Sequence, residues 1–438
     1  MVFRIVNFLK LNKYKIILFI TTVAISALLL FAGNMIVYDR ETMFLGGYDD
    51  GASTATVTEI IKVDRKQNTI LETQETVNEN GNTIYVDKEV VIETVLVVFK
   101  CEITSGDLKG QTVTAYESIS DHDFTAVKLK EVETGDKVLI TRVPEDSVDG
   151  FGYGWHLYDY DRTLPLWILG GLFLALILIF GRRKGVNTAI SLCFTIAAVF
   201  LVFVPSILSG YNTYVWSILT CIYIIAMSLL INEGYNKKTL AAVIGCASGV
   251  VVAGVLAVVT SHFLNLTGVT DESSMYLTDL NINLNALIFA GIILGAVGAV
   301  KDVSVSISSS LKELHEQVEK PTFGGLVKSG MIIGRDIMGT MADTLVLAYI
   351  GCELTATLLQ VMYSSSLSTL FSREKIVAEL LQALVGSIGI LLAIPLTAVV
   401  SAALYVGLPK FKKKDKYYIE PAEEPSLYEK TGSESEDR

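Results

Sequence analysis

Proline is scarce in this chain, with eight in 438 residues, and so are histidine, with four, and cysteine, with five. The histidines, His122, His156, His262 and His315, are scattered and no C-x-x-C pair occurs, so neither a zinc site nor any other metal site is expected. Cys193, Cys221, Cys246 and Cys352 lie in apolar runs, where a thiol serves as a small apolar group. Cys101 alone cannot form an intrachain bridge in the segment it occupies. Also missing are a G-x-S-x-G elbow, an H-E-x-x-H pair and a phosphate-binding loop. Pairing Ser309 or Ser310 with His315 would need a third group to orient the base, and Glu316 points elsewhere on a helix. Neither catalysis nor a cofactor is expected. Charge is missing too: the first five of the long apolar runs contain no Asp, Glu, Lys or Arg.

What is there is apolar material, 51% of the chain, in runs near 16–37, 164–180, 186–208, 213–231, 240–262, 284–300, 340–362 and 384–407. Runs of about 17 residues or more suffice to cross a hydrocarbon core of roughly 30 Å. The fold class expected is therefore a polytopic α-helical membrane protein of about eight helices. Lys and Arg set its orientation, because short basic loops resist translocation. Arg4, Lys10, Lys13 and Lys15 place the N-terminus in the cytoplasm. Eight spans then put "GRRKG", "NEGYNKK", 301–335 and "PKFKKKDK" inside, all of them basic. Only 363–383, with Arg373 and Lys375, departs from the pattern. The alternative for the first run is a cleaved signal peptide. The expected division is an N-terminus and anchor helix (1–37), an extracytoplasmic domain (38–163), a seven-helix membrane domain (164–407) and a basic, then acidic, disordered cytoplasmic tail (408–438). The cell membrane is the expected site, with both termini cytoplasmic.

Residues 38–163 read as β-rich. "TATVTEIIKVD", "NTILETQETV", "NTIYVDKEVVIETVLVVFKCEIT", "QTVTAYES", "AVKLK" and "DKVLITRV" are rich in β-branched residues and separated by turn signals. They predict a small barrel or sandwich, either a binding module or a structural cap. "FGYGWHLYDYDRTLPLW" follows, and its aromatic rings predict an anchor at the membrane interface. The formal charge of −11 is read as an acidic external domain and tail, and no nucleic-acid partner is expected. The partners expected are the lipid bilayer and either a small solute or an envelope protein, with a second copy of the chain as a further alternative.

Small residues recur every fourth position at Gly245 and Gly249 in the fifth run and at Gly291 and Gly295 in the sixth, as close helix crossings need. Polar groups gather in 301–353. "VSVSIS" alternates like a strand, but Val303, Ile307, Leu311, Leu314 and Val318 repeat like a helix, and the longer window predicts a helix continuing the sixth run. Asp302, Ser306, Ser309 and Glu313 then share the face opposite much of the apolar stripe. At 100° per residue, Asp336, Thr340, Asp343 and Leu347 fall within about 60° of one another, a polar stripe entering the membrane. A carboxylate there costs several kcal/mol unless it is paired, protonated or wetted. Asp302, Ser306, Arg335, Asp336, Thr340 and Asp343 are accordingly the candidate ion or substrate pathway, against the plainer reading that the charged ones sit at headgroups. "PTFGGLVKSGMIIG" has the glycines for a break or re-entrant element.

"GAVGAVKDVSVSISSSLKELHE", "SGMIIGRDIMGTMADTLVLAYIG" and "VGSIGILLAIPLTA", with "SGDLKGQTVTAYE", "GDKVLI", "NEGYNKKTLAAVIG" and "HFLNLTGV", resemble the YibE/F-like family of bacterial multi-pass membrane proteins, in order and over most of the chain. The resemblance implies an N-terminal anchor, an external β-rich part and a polytopic domain, and little about activity. It raises Asp302, Arg335 and Asp336 as candidates. Ile332 and Asp343 stand where the family pattern more usually has an amide. The function expected is transport or permeation of a small solute, with a non-enzymatic scaffold or accessory subunit that binds a partner through its external domain as the alternative.

Overall fold

The computed structural model describes residues 2–37, 52–77, 83–120, 130–143, 153–270, 274, 277–278 and 282–408. The chain forms two compact units, 24–211 and 1–23 with 212–438.

In the first unit five strands close a barrel in the order β1-β2-β3-β5-β4. They are β1 (Ser53–Val77), β2 (Thr83–Ile103), β3 (Thr112–Ser120), β4 (Lys137–Arg142) and β5 (Trp155–Tyr160). β1 closes on β4, and β5 joins β3 in parallel and β4 antiparallel, the Greek-key arrangement of an OB-type barrel. The period-two pattern in β2 turns Val95, Val97, Phe99, Cys101 and Ile103 inward, against Ala115, Val138 and Ile140. From Gln67 and Glu93 outward β1 and β2 pair, among the described residues, with each other alone, as a two-stranded ribbon. One expectation changes here and one gains detail. The first two predicted strands are one continuous β1, and "WHLYDY", read above for its aromatic rings, is the strand β5 between β3 and β4, with Tyr158 left exposed. Trp155, Leu157 and Tyr160 pack on the barrel core, because β4 leaves an edge that only a further strand can cover. The predicted strand "AVKLK" lies outside the described residues except for Lys130.

Helix α1 (Val2–Val37) precedes the barrel, and α2 (Thr163–Ala198), a π-turn (Val199–Phe203) and α3 (Val204–Leu208) follow it. Pro205 has no N–H to give the carbonyl of Leu201, and Asn34 Nδ2 donates to that oxygen instead at 2.5 Å. Straight, the 46 residues from Thr163 to Leu208 would extend about 69 Å. They do not run straight: Arg182 is non-helical (φ 48°, ψ −124°). A Cβ added at Gly185 would lie 2.2 Å from the Ile177 carbonyl oxygen, so the chain bends back on itself there.

The second unit is a helical bundle of α4 (Thr213–Glu233), α5 (Lys237–Phe263), α6 (Leu284–Gln317), α7 (Phe323–Cys352), α8 (Leu354–Met362), α9 (Leu367–Phe371) and α10 (Glu374–Val406). Asn212, Asn236, Asn283 and Thr322 cap α4, α5, α6 and α7, each side chain accepting a backbone N–H three residues on. α10 is central, packing against α5, α6 and α7. Six helical stretches of the described chain are long and apolar enough to cross a membrane, and seven if α7 and α8, bent by 67°, count as one. The predicted spans 164–180 and 186–208 fall within one of these stretches, on either side of Arg182. The single span predicted at 340–362 is broken: α7 starts at Phe323 and ends before Glu353. The glycines of "PTFGGLVKSGMIIG" make no break, since all lie inside α7.

Candidate functional site

The predicted helix through "KDVSVSISSS" is present: α6 runs unbroken from Leu284 to Gln317. Its four-residue rhythm buries Val300, Val303, Ser304, Ile307, Ser308 and Leu311 and leaves Asp302 exposed. The four packing glycines each meet a neighbour. A Cβ at Gly245 would lie 2.1 Å from Thr397 Oγ1, at Gly249 2.8 Å from Ala393 Cβ, at Gly291 3.7 Å from the Gln382 amide, and at Gly295 1.9 Å from the Tyr349 hydroxyl. α7 lies antiparallel to α6, with Tyr349 against Gly295 and Gly330 against Leu311. That register brings Asp302 level with Thr340 and Ser306 level with Asp336.

Gly330, Gly334, Leu345 and Tyr349 define the packed face of α7, against Ala398, Ile394, Gly386 and Gly295. At 100° per residue the stripe of Asp336, Thr340 and Asp343 lies about 160° round the helix from that face. All three are exposed, as are Arg335 and Leu347. The structure thus sets Asp302 and Ser306 beside the levels of Thr340 and Asp336 while turning the α7 stripe away from its own bundle. Asp302, Arg335, Asp336 and Asp343 form no side-chain hydrogen bond or ion pair among the described residues. The Ser306 hydroxyl donates to the Asp302 carbonyl (2.8 Å) and the Thr340 hydroxyl to that of Ile337 (2.9 Å), so both are satisfied within their own helices. Of the two glycines beside this stripe, Gly334 allows close approach to Ile394, while nothing lies within 4 Å of a Cβ at Gly339.

Three polar features escape a reading by charge alone. Ser304, Ser308, Thr397 and Ser401 are buried between α6 and α10, and Thr397 Oγ1 donates to Ser304 Oγ at 3.2 Å. Beyond them His315 stacks on Tyr405, with ring centroids 5.2 Å apart. The signal was the position of Ser304 and Ser308 on the apolar side of the repeat. At the other end of the bundle the Glu374 carboxylate accepts from Thr267 N (2.6 Å), Thr267 Oγ1 (2.8 Å) and Gly268 N (2.5 Å). Next to it Lys375 pairs with Glu353 at 3.2 Å, just past the end of α7. In the barrel Glu117 is buried and accepts the Val132 N–H at 3.0 Å. Burial raises its carboxyl pKa from 4.5, and burial pushes the Cys101 thiol up to about 11. Among the described residues no three His, Cys, Asp or Glu side chains are placed to share a metal ion.

A bundle of helices long and apolar enough to cross a membrane, accompanied by a small β-barrel, has the make-up of a helical membrane protein with an added β-domain. The chain belongs to the YibE/F-like protein family, whose model matches residues 169–407, a range that includes α4 to α10 and leaves the barrel outside. No curated protein and no solved structure matches the chain.

Proposed function

We propose that the chain is a multi-pass transporter or permease of a small solute in a bacterial cell membrane, working with a partner helix that closes its charged stripe. The bend at Arg182 divides 163–208 into two crossings and the bent pair α7–α8 counts as one, which gives eight spans. The basic loops put both termini inside and the barrel outside. The observation that carries the transport reading is the stripe of Asp336, Thr340 and Asp343, exposed on a helix of membrane length. Carboxylates do not rest against lipid tails, so this face meets water or protein. Asp336 on that face and Asp302, exposed on α6, would each take up a cation or proton, with Arg335 balancing the charge beside Asp336. The absence of ion pairs among these described residues favours the second reading, an accessory scaffold whose stripe docks a partner. A flux screen in reconstituted vesicles separates the two. Asp302→Asn and Asp336→Asn each lower protein-dependent flux if the stripe transports, whereas unchanged flux for every solute that crosses leaves only the scaffold.

A further inference from the structure

Two cavities meet on the side of the bundle formed by α4, α5 and α6. The first, about 410 Å³, is a furrow walled by apolar residues such as Ile218, Ile222, Val251, Val255 and Ile293. The second, about 420 Å³, has the polar groups of Tyr214, Ser261, His262, Asn265 and Asn285. Val258 and Phe289 line both, so one opens into the other. The Tyr214 ring packs on Phe289 at that neck, with centroids 5.0 Å apart. Every residue involved belongs to one compact unit.

The polar cleft is at the end of the bundle where α4 begins, α5 ends and α6 begins. From Tyr214 to Ile225 the cleft and furrow together follow α4 for about 17 Å, the furrow alone for about 10 Å from Ile218, against a hydrocarbon core of roughly 30 Å. It is open sideways, since Ile222, Val251 and Val255 are exposed. The chemistry of the joined groove therefore changes once along its length, from apolar to hydroxyl, amide and imidazole. The polar residues of the cleft include no Asp or Glu that would repel a phosphate, and offer several N–H and O–H donors. Asn285 Oδ1 is buried without a hydrogen-bond partner, an acceptor that suits a headgroup with a donor of its own.

We propose that this composite groove binds one glycerophospholipid, an acyl chain lying in the furrow and the phosphate-bearing headgroup in the cleft. The site rests on the reading above that α4, α5 and α6 cross the membrane, with the headgroup in the outer leaflet. It is separate from the charged stripe of α7.

The test is native mass spectrometry of the delipidated full chain with added phosphatidylethanolamine, with diacylglycerol of the same acyl chains, or with inorganic phosphate. The expected result is a single phospholipid adduct, with diacylglycerol and free phosphate held far more weakly. Val255→Trp, which fills the furrow, weakens that adduct by about tenfold, the scale set by displacing about two buried methylenes. A Ser261→Ala, Asn265→Ala double variant removes the preference over diacylglycerol. Val399→Trp, exposed on α10, leaves the adduct unchanged. Circular dichroism and elution volume confirm that each variant is folded. Equal adducts in all variants mean surface lipid only and overturn the site, as does equal retention of diacylglycerol. A dimer lost on Val255→Trp also overturns it, showing that a second copy covers the furrow. Alkaline extraction of membranes separates the two levels: a chain that washes out refutes the spanning reading, whereas one that stays in but binds no phospholipid refutes the groove alone.

Discussion

Gly245 and Gly298 carry the same side chain and have different roles. A methyl group at Gly245 would collide with the backbone as well as the hydroxyl of Thr397, its Cβ coming within 2.9 Å of the Thr397 Cα, whereas at Gly298 nothing lies within 4 Å. Gly245→Ala is expected to destabilise the purified protein by about 1–3 kcal/mol, as overpacking does. Gly298→Ala should fall within about 0.5 kcal/mol of wild type, and thermal unfolding in detergent reads both. The small-residue repeat made Gly245 and Gly249 readable, because spacing of four has one geometric meaning on a helix. Glu117 was readable only by following the alternation Ala115, Glu117, Ile119 through "TAYESI" and accepting a carboxyl on the inward side. Its folded pKa is raised above the ordinary 4.5 by burial, so the protonated form suits the barrel. That contribution is fully present below the ordinary carboxyl range and is lost as pH rises through the raised value. Glu117→Gln keeps an oxygen for the Val132 N–H and does not titrate. The stability of the variant relative to wild type should rise with pH from about 4.5 upward. Hydrogen exchange of the barrel amides in the full chain measures it, and a pH-independent difference would remove the assignment.

Among the elements, α6 was readable beyond its apolar run because a repeat of four and three over a long window outweighs a short alternation. α7 was misread in extent. Its first turns are glycine-rich and polar enough to look like a loop, yet Leu326, Gly330 and Gly334 already form the buried face against α10 and α6. The head of α10 was taken as an external loop with misplaced positive charge. Its Glu374 is a fastening: two backbone N–H groups and a hydroxyl from residues 267–268 converge on one carboxylate. Glu374→Ala leaves both amides without that acceptor, which costs about 0.5–1.5 kcal/mol where Thr267 is open to water. Faster hydrogen exchange at Thr267 and Gly268 than in wild type is the expected sign, and unchanged protection there would show that the clamp holds nothing.

Across the whole molecule, the broad division into apolar helices and a β-rich part was readable from composition, since each class of element has its own period. How the stripe of α7 is covered was not, because periodicity reports which residues share a face and not what the face meets. The proposed orientation can be tested directly. In a background without the exposed Cys193 and Cys352, Tyr158→Cys on β5 should react with an impermeant thiol reagent in intact cells. Tyr235→Cys between α4 and α5, also exposed, should react only after the cells are opened, and the reverse pattern would invert the topology.

α6 has a mechanical consequence. It is one uninterrupted helix of 34 residues, about 51 Å long, with no proline to act as a joint. One end carries Asn285 in the polar cleft of about 420 Å³, and the other carries Lys312, Glu313 and Glu316 around a separate polar hollow of about 400 Å³. A stiff rod transmits tilt without loss. A rotation of about 5° about one end moves the other by about 4 Å over that length, enough to exchange one hydrogen-bond partner for another. A ligand that tilted α6 at one end would therefore displace the other, with no change in secondary structure between them.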